Sequence, residues 1–185
     1  MARTALELGC GVRCPETKDF GKVDLADIQA PGVTYKFDFN KKFPIRDNSY
    51  DFIWAHHVLE HVWNIEGCMN EIWRILKPGG VLEAHMPHYL HPAAWGDMTH
   101  RRGVSRTFFH NIDVTWSKPD KYSKAVFSDT TGKVSCFAHS SKGVGKAANR
   151  ILSFVGNRFP RLYERFLIHF MGAPEEIIFR LKAVK

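Results

Sequence analysis

The sequence predicts an α/β fold built on a mostly parallel sheet. Three observations support this prediction. Short apolar runs alternate with helical stretches over the first half of the chain, a glycine turn follows the first run, and a Lys-Pro-Gly-Gly stop precedes the last run. With 185 residues, of which 44% are hydrophobic, the chain can bury one sizeable core. We therefore expect a single domain over residues 1–185.

Apolar runs and turn residues divide the first half into predicted elements. Runs of the strand type occupy residues 4–8, 22–25, 34–37, 51–55 and 81–86. Between the last two, apolar residues recur at helical spacing over 58–76, with a break near residues 64–67. The first two connections have room for little helix: Pro15 and Glu16 can open one or two turns, and residues 27–33 form a loop.

The second half of the chain is less regular. Residues 87–113 form a long polar and aromatic connection, and loops of that length inside compact domains are often functional. Residues 126–127 and 134–138 are predicted to form the two strands of a hairpin. Helices over 142–156 and 160–171 and a final strand over 176–184 complete the predicted fold.

The bulk composition is typical of a cytoplasmic protein. The sequence contains no apolar run long enough to span a bilayer, and it leads straight into a predicted strand without room for a secretory signal. The four cysteines are irregularly spaced, which indicates reduced thiols, although Cys10 and Cys14 are near enough to pair. The net charge is +7, with the basic excess at the C-terminal end. This excess favours nucleic acid, a phosphorylated sugar or a membrane surface as a partner, or it forms a solvated basic face.

Two glycines directly follow the first predicted strand. Gly9 and Gly11 let the backbone turn tightly and approach a ligand without Cβ contact. A dinucleotide-binding fingerprint would continue with a glycine at position 14, where this chain has Cys14. Because hardly any helix follows, a pyrophosphate would also lack a helix N-terminus. A ligand with an amino-acid head fits this turn better.

Three acidic residues belong to the carboxyl ends of adjacent predicted strands. Glu7 is in the first strand, Asp24 in the second, and Asp38 follows the third. In open α/β sheets these ends share one crevice, in which ligands bind. We therefore expect Asp24 to accept the hydroxyls of a ribose and Asp38 to lie beside an adenine. Taken singly, each acid is as well suited to capping backbone amides.

Several motifs over residues 5–87 resemble, in order, those of class I methyltransferases of the methyltransferase-11 type. They are LELGCG at 6–11, FPIRDNSYDFIWAHHVLEHV at 43–62 and EIWRILKPGG at 71–80. The stretches AWGDMTHRR at 94–102 and FPRLYERFL at 159–167 resemble a compact bacterial and archaeal subgroup that begins at the glycine motif. The resemblance implies a Rossmann-like sheet that is mostly parallel, with an antiparallel C-terminal strand and trimmed N-terminal helices.

The resemblance also implies S-adenosylmethionine as the cofactor, held by residues 1–87, with an acceptor-side half at 88–185. The residues assigned to cofactor binding are Glu7, Gly9, Cys10, Gly11, Asp24, Asp38, Phe39, Ala55 and His56. Position 13, where many relatives have a third glycine, is Arg13 here. Because no helix precedes the first strand, we expect residues 88–113 or a second subunit to cover the site.

The acceptor-side candidates follow the fifth predicted strand. Methyl transfer to a hydroxyl needs a base, and imidazole titrates near neutrality. The candidate catalytic residues are His88, His91, Asp97 and His100. Arg101 and Arg102 are suited to bind a carboxylate or phosphate of the acceptor. Equally, Asp97 and His100 could serve only to fix this loop.

No metal site is expected from the sequence. The histidines and acids of residues 85–100 show neither a zinc spacing nor a carboxylate-rich magnesium cluster. We also interpret His56, His57 and His61 as helix residues that pack or cap near the cofactor, and the pair of Glu60 and His61 as serving the fold.

The function predicted from these observations is methyl transfer to an oxygen or nitrogen of a small or glycan-like, anionic acceptor. The sequence lacks both the Asp/Asn-Pro-Pro-Tyr/Phe motif of base-amine methylation and a Pro-Cys nucleophile. Two alternatives remain open: an RNA or DNA methyltransferase, favoured by the basic C-terminal region, and a non-catalytic binding module. The helices over 142–171 are basic and amphipathic, which allows a peripheral membrane contact, although such an apolar side more often is core or a homodimer contact.

Overall fold

An eight-stranded sheet forms the centre of the computed structural model, which describes residues 3–9, 15–115, 123–136 and 143–185. The strands are β1 (Thr4–Leu8), β2 (Lys22–Asp27), β3 (Tyr35–Lys36), β4 (Tyr50–His56), β5 (Leu76–Pro87), β6 (Phe127–Ser128), β7 (Lys133–Ser135) and β8 (Glu176–Ala183). They are arranged in the order β3-β2-β1-β4-β5-β8-β6, and β7 also pairs with β8.

The first five strands pair in parallel, and β8 pairs antiparallel with β5. The predicted mostly parallel sheet with an antiparallel C-terminal strand is therefore confirmed. The central strands are apolar along most of their length. Leu6, Ile53 and Leu82 are partners across β1, β4 and β5 and are completely buried, so the face of the sheet that they share is covered. The assignment of residues 1–185 to one domain stays a prediction.

β1 spans the predicted residues, whereas β2 continues two residues beyond its predicted end. Ala26 is completely buried and pairs with Tyr35 of β3, so the parallel ladder extends past Leu25. Asp27, rather than Asp24, therefore stands at the carboxyl end of β2. This shift decides which acid can reach the crevice at the edge of the sheet.

The predicted hairpin over 126–138 is wrong. β6 pairs with the end of β8 and β7 with its beginning, so both short strands share one edge of β8. Both strands run antiparallel to β8, so the chain between them does not reverse as it would in a hairpin. In this connection the buried Thr130 hydroxyl donates to Asp113 Oδ2 at 2.6 Å. Asp129 takes a left-handed backbone conformation there, with φ of 60°.

Helix α1 (Ile65–Ile75) begins later than the helical spacing predicted. Residues 58–62 form tight turns instead, in which the His61 N–H donates to the Val58 carbonyl. Asn64 caps the helix, since its side chain accepts a hydrogen bond from the Gly67 N–H. The break in the pattern is therefore the start of the helix, and residues 58–62 are left to line the edge of the sheet.

The helices near the C-terminus are α2 (Gly143–Arg158), α3 (Pro160–Leu162) and α4 (Ile168–Met171), with a π-helical turn at Tyr163–Leu167 between the last two. We call residues 143–171 the C-terminal helical segment. It packs on the sheet through a small apolar cluster that includes Cys136, Tyr163 and Ile168. No helix in the described part of the chain is both long and apolar enough to cross a bilayer.

Candidate active site

A cavity of about 610 Å³ opens at the carboxyl edge of the sheet, where β1 to β4 end. Its volume is within the range of sites for small molecules. The residues that line it are Gly9, Asp27, Ile28, Asp38, Phe39, Asn40, His56, His57, Val58, His61 and Val62. The predicted crevice is thus formed by the connections that follow four strands.

Gly9 is required by both its backbone and its neighbours. Its φ is +69°, in the left-handed region, and its N–H donates to the Ala26 carbonyl at 2.8 Å. A Cβ atom at this position would lie 2.2 Å from Cγ2 of Val58. The glycine therefore lets the connection after β4 approach the end of β1. Cys10 and Gly11, which the sequence also assigned to the cofactor, lie outside the described residues.

Asp27 lines the cavity, and the structure does not bring Asp24 to it. Asp27 Oδ1 accepts hydrogen bonds from the backbone N–H groups of Gln29 and Ala30, at 2.7 and 2.9 Å, which fix the carboxylate. Asp24 is buried within β2, where its Oδ2 accepts from the Tyr50 hydroxyl at 2.8 Å. The residue that the sequence assigned to the ribose thus serves the sheet, because β2 ends at Asp27.

Asp38 and Phe39 lie together in the cavity lining. Asp38 Oδ1 accepts from the backbone and side-chain N–H groups of Asn40, and these bonds hold the pKa of Asp38 below its usual range. The Phe39 ring packs against Phe37 and Phe43, with centroids 5.3 and 6.1 Å apart. The third strand is therefore followed by an ionised carboxylate beside an aromatic wall.

Glu7 and Ala55 lie behind the cavity lining, inside β1 and β4. Glu7 is buried, and its Oε1 accepts from the Thr17 hydroxyl at 2.8 Å. Ala55 is buried opposite Leu8 of β1 and Ala84 of β5. Both residues support the end of the sheet from which the cavity opens.

His57 is the most constrained residue of the cavity wall. Its backbone is left-handed, with φ of 51°, which is uncommon for a histidine. Its Nδ1 lies 3.0 Å from Glu60 Oε1, and its Nε2 lies 3.5 Å from Glu176 Oε2. Strained backbone of this kind persists where surrounding contacts hold it, and it is frequent at functional sites.

The histidines of this wall have pKa values shifted in opposite directions. Burial by itself would lower the pKa of His57, but Glu176 and Glu60 outweigh it and raise the pKa to about 9. Glu176 has the same effect on His85, whose pKa is also raised to about 9. Burial, followed by the charges on His57 and His85, lowers the pKa of His56 to about 4. Near neutral pH the cavity therefore has a neutral His56 beside a protonated His57.

The register of the sheet assembles these groups. His56 and His85 are Cα partners in the pairing of β4 with β5, and their ring centroids are 5.2 Å apart. Glu176 begins β8 opposite Pro87 of β5, and its Oε1 lies 3.4 Å from His85 Nδ1. One ligand atom each of His56, His85 and Glu176 lies within 4.8 Å of the other two, an arrangement that the sequence did not predict. In this structure Glu176 forms ion pairs with His57 and His85.

His88 and His91 shape the connection after β5 and are not among the described residues that line the cavity. His88 is completely buried, and its Nδ1 accepts from the Leu90 N–H at 3.2 Å. Burial, and then the nearby His91, lowers the pKa of His88 to about 4. His91 caps the short helix Pro92–Ala94, since its Nδ1 accepts from the Ala93 N–H.

Asp97 and His100 form a turn that packs against the connection after β4. Asp97 Oδ1 accepts from the N–H and the hydroxyl of Thr99, and that hydroxyl lies 2.9 Å from Nδ1 of His61. His100 Nε2 is 4.0 Å from Asp97 Oδ2, and its Nδ1 faces the Ala94 carbonyl at 3.2 Å. These contacts are those of the loop-fixing alternative, and neither residue is among the described cavity lining.

Arg101 and Arg102 bind the protein rather than the cavity. Arg102 donates to the carbonyls of Leu59, Val62 and Trp63, at 3.2, 2.6 and 3.3 Å. The Arg101 guanidinium stacks over the Trp63 ring, 3.7 Å from its centroid. Residues 88–113 therefore brace the turns at 58–63, which form one wall of the cavity.

Comparison with known proteins relates the first half of the chain to a family of enzymes. Residues 6–84 match the family model described as a methyltransferase domain. A sterol 24-C-methyltransferase of Aspergillus fumigatus is 33% identical over 98 residues, which cover 41% of this chain and 26% of that protein. Residues 6–84 form a methyltransferase domain. The chain thus matches only about a quarter of the length of this relative.

Solved structures share the fold of this methyltransferase domain and of the residues after it. A SAM dependent methyltransferase from Archaeoglobus fulgidus has a TM-score of 0.61 at 17% identity, covering 98% of this chain and 86% of that chain. A chain from the Haloferax volcanii complex of a methyltransferase activator with a methyltransferase has a TM-score of 0.58 at 13% identity, with coverages of 99% and 83%. The predicted Rossmann-like fold of class I methyltransferases is confirmed.

S-adenosylmethionine is the cofactor that the methyltransferase domain implies, and the cavity residues fit it. The carboxylates of Asp27 and Asp38 follow adjacent strands, as acceptors for hydroxyl and amino groups. Phe39 offers an apolar ring face, and Gly9 allows close approach of a ligand to the backbone. These cavity residues thus suit a ligand that combines a ribose, a flat base and an amino-acid end.

The sequence reasoning missed the roles of three residues of the methyltransferase cavity and its surroundings, Asp27, Glu60 and Glu176, and it gave His57 only a packing or capping role. Two of them had a local signal, since Asp27 ends an apolar run and Glu60 follows His57 at the i,i+3 spacing. Glu176 had none, because it is 91 residues from His85 in the sequence and reaches it only through the antiparallel pairing of β8.

Proposed function

We propose that the chain is an S-adenosylmethionine-dependent methyltransferase that acts on an oxygen or nitrogen of a small or glycan-like, anionic acceptor. One observation supports this most: a single cavity at the carboxyl edge of the sheet combines two carboxylates with a neutral and a protonated histidine. The carboxylates suit the cofactor, and the histidines suit an acceptor that carries negative charge.

On the cofactor side, Asp27 takes the role that the sequence had assigned to Asp24. Its carboxylate, fixed by two backbone N–H groups, accepts the ribose hydroxyls, while Asp38 and Phe39 hold the adenine. Gly9 approaches the amino-acid end. When bound, S-adenosylmethionine supplies the methyl group, which the acceptor atom takes by in-line displacement.

On the acceptor side, His56 is the residue that touches the acceptor. Because it is neutral near pH 7, one of its ring nitrogens can accept the hydrogen of the acceptor hydroxyl or amine and so orient the lone pair. The protonated His57 supplies positive charge beside the cavity, which favours an anionic acceptor. Asp97 then acts as a positioning residue through Thr99, whose hydroxyl lies beside His61, whereas His88, His91 and His100 fix the connection after β5.

Calorimetric titration with S-adenosylmethionine tests the cofactor side. The wild type should bind, and Asp27→Ala should weaken binding by about 10- to 100-fold, since charge-assisted hydrogen bonds are lost. Asp24→Asn is the matched control, because it changes a buried carboxylate of the same strand and should leave the affinity within about two-fold of wild type. An absence of heat with the wild type would overturn the proposal and favour a non-catalytic role. If Asp24→Asn loses binding and Asp27→Ala does not, Asp24 rather than Asp27 binds the ribose, as the sequence first suggested.

Transfer of tritium from methyl-labelled S-adenosylmethionine tests the acceptor side. The panel contains hydroxy acids, phosphorylated sugars, acidic glycans and short RNA and DNA strands. We expect transfer to a small or glycan-like anion, and His56→Gln should lower kcat by about 10- to 100-fold while cofactor affinity stays unchanged. Transfer to RNA or DNA alone would replace this proposal with the nucleic-acid alternative.

A further inference from the structure

Helix α2 exposes apolar side chains, and it packs on the protein through polar side chains as well as through Leu152. Ile151 and Phe154 are 63% and 66% exposed. On the inner side, the Asn157 side chain both accepts from the Val134 N–H and donates to the Val134 carbonyl, at 2.9 and 3.0 Å. Ser153 accepts from the Cys136 N–H at 3.0 Å. The exposure of Ile151 and Phe154 thus differs from the usual amphipathic helix of a soluble protein, whose apolar face is buried.

The remainder of the C-terminal helical segment also exposes apolar side chains. Leu162, Phe166 and Phe170 recur every four residues and are 49%, 60% and 88% exposed. A parallel row of exposed basic residues recurs one position before each of them: Arg161, Arg165 and His169. The inner face of this part carries the apolar contacts, through the buried Tyr163 and Ile168. Two rows, one apolar and one basic, therefore face outward together.

The segment is held firmly against the sheet. The buried Arg106 guanidinium donates to the Gly132 carbonyl at 2.8 Å and to the Gly156 carbonyl of α2 at 3.0 Å. The Tyr163 hydroxyl donates to the Gly172 carbonyl at 3.2 Å. These contacts fix the inner side of the segment, so the exposed rows belong to a fixed surface of the fold.

The charge of this surface decides which partner it fits. Its exposed ionisable residues are basic, namely Lys146, Arg150, Arg158, Arg161 and Arg165, together with His169. The one acidic residue of the segment, Glu164, is only partly exposed. In a symmetric contact between two copies the same patch would meet itself, so the basic residues of one copy would face those of the other. An anionic surface that also accepts apolar side chains has the complementary character.

We infer that the C-terminal helical segment docks this protein on an anionic lipid bilayer, with Leu162, Phe166 and Phe170 entering the interface and the arginines meeting lipid phosphates. Helices with an apolar row flanked by basic residues lie in the plane of such interfaces. Each Lys or Arg near an anionic surface adds to the binding, and large apolar side chains add the burial that charge alone lacks. The inference stands independently of the proposed reaction.

Sedimentation of the full chain with lipid vesicles tests the inference. Vesicles of phosphatidylcholine with about one third phosphatidylglycerol should bind the protein, whereas vesicles of phosphatidylcholine alone should bind it weakly, because the basic row lacks its partner. Replacing both Arg161 and Arg165 by Gln should lower the partition coefficient about thirty-fold. The triple variant Leu162→Ser, Phe166→Ser, Phe170→Ser should abolish binding.

Val114→Ser is the matched control, since Val114 is an exposed apolar residue outside the segment, and it should bind as the wild type does. All the altered side chains are exposed, so thermal unfolding of the variants should match that of the wild type. Two results would overturn the inference. One is a stable dimer that the triple variant dissociates, without vesicle binding. The other is salt-dependent binding to RNA or DNA, without vesicle binding, that the Arg variants weaken and the Phe and Leu changes leave intact.

Discussion

The histidines at the ends of two neighbouring strands have opposite surroundings. His57 follows β4 and His85 lies near the end of β5, and both face buried carboxylates that raise their pKa values to about 9. His88 follows β5 directly, yet burial lowers its pKa to about 4, and its Nε2 has no hydrogen-bond partner among the described residues. A position at a strand end therefore does not by itself give a histidine a chemical role, because its partners set its charge.

The same contrast separates the two walls of the candidate site. The histidines beside β4 take their charge from Glu60 and Glu176, and they line or adjoin the cavity. The polar residues after β5 instead bond to backbone groups of their own connection or of the turns at 58–63. We therefore expect changes in the first set to alter charge and chemistry, and changes in the second set to alter stability.

The largest effect should follow from Glu176→Gln. This change leaves His57 and His85 without their shared carboxylate, so the free energy of unfolding should fall by about 3 kcal/mol. The pKa values of both histidines should fall as well. Urea unfolding measures the first effect, and NMR titration of the histidine ring protons measures the second.

Glu66→Gln is the control for this change, since it removes an exposed carboxylate from the first turn of α1. It should alter stability by less than about 0.5 kcal/mol. Equal losses in the two variants, or histidine titrations that do not move in Glu176→Gln, would show that the cluster carries no charge coupling.

The two sets of histidines should also give the protein opposite dependences on pH. The pKa of His57 is raised from 6.5 to about 9, so its contribution to stability is complete below pH 6.5 and is lost as the pH rises through 9. The pKa of His88 is lowered to about 4, so its contribution is complete above pH 6.5 and is lost as the pH falls toward 4. The Tm should therefore decline at both ends of this range.

Single variants test which histidine causes the decline of the Tm at each end of the pH range. His57→Asn should flatten the decline above pH 7 by roughly 5 °C, since asparagine tolerates the left-handed backbone, and it should change the acid side less, through the loss of charge beside His56. His88→Asn should flatten the acid side and leave the alkaline side unchanged. If both variants flatten the same side, the contrast between the two strand ends is mistaken.

The sequence was sufficient for the parts of the fold that depend on local pattern. Buried apolar runs and the glycine turn located β1, β4 and β5, and the motifs of residues 5–87 indicated the similarity to a methyltransferase domain that the family model also finds over residues 6–84. It placed Asp38, Phe39 and His56 in the cavity lining, where the structure also has them. It did not place Asp27, because the last two residues of β2 are fixed by pairing with β1 and β3, and the register of that pairing is not visible in the local pattern.

The rest of the site depends on contacts between distant segments. Glu176 reaches His85 only because β8 turns antiparallel to β5, and Arg102 finds three carbonyls only because residues 58–63 are turns instead of helix. The exposure of Phe154 also had no signal, since a helical apolar row looks the same in sequence whether it faces the core or the solvent. In each case the residue type was visible in the sequence and its partner was not.

A smaller effect should follow from Arg102→Lys. A lysine keeps the charge but cannot donate to the carbonyls of Leu59, Val62 and Trp63 together, so unfolding free energy should fall by about 2 kcal/mol. Arg101→Lys, which loses only a stacked contact on Trp63, should cost less than about 1 kcal/mol. Chemical denaturation of both variants checks this. If Arg102→Lys is as stable as the wild type but loses acceptor affinity, the residue binds substrate as the sequence first suggested.

The smallest effect should follow from His91→Ala. The variant removes the side chain that caps the helix Pro92–Ala94 and should cost about 0.5 kcal/mol, while His91→Asn, which can still accept from the Ala93 N–H, should cost less. Turnover of methyl-labelled S-adenosylmethionine, with the acceptor found in the panel, should stay within about two-fold of wild type in both. A loss of kcat that exceeds the loss of stability, and that moves the pH profile of the reaction, would make His91 a base after all. It would also mean that the connection after β5 swings toward the cavity during the reaction, since its present contacts hold it against the turns at 58–63.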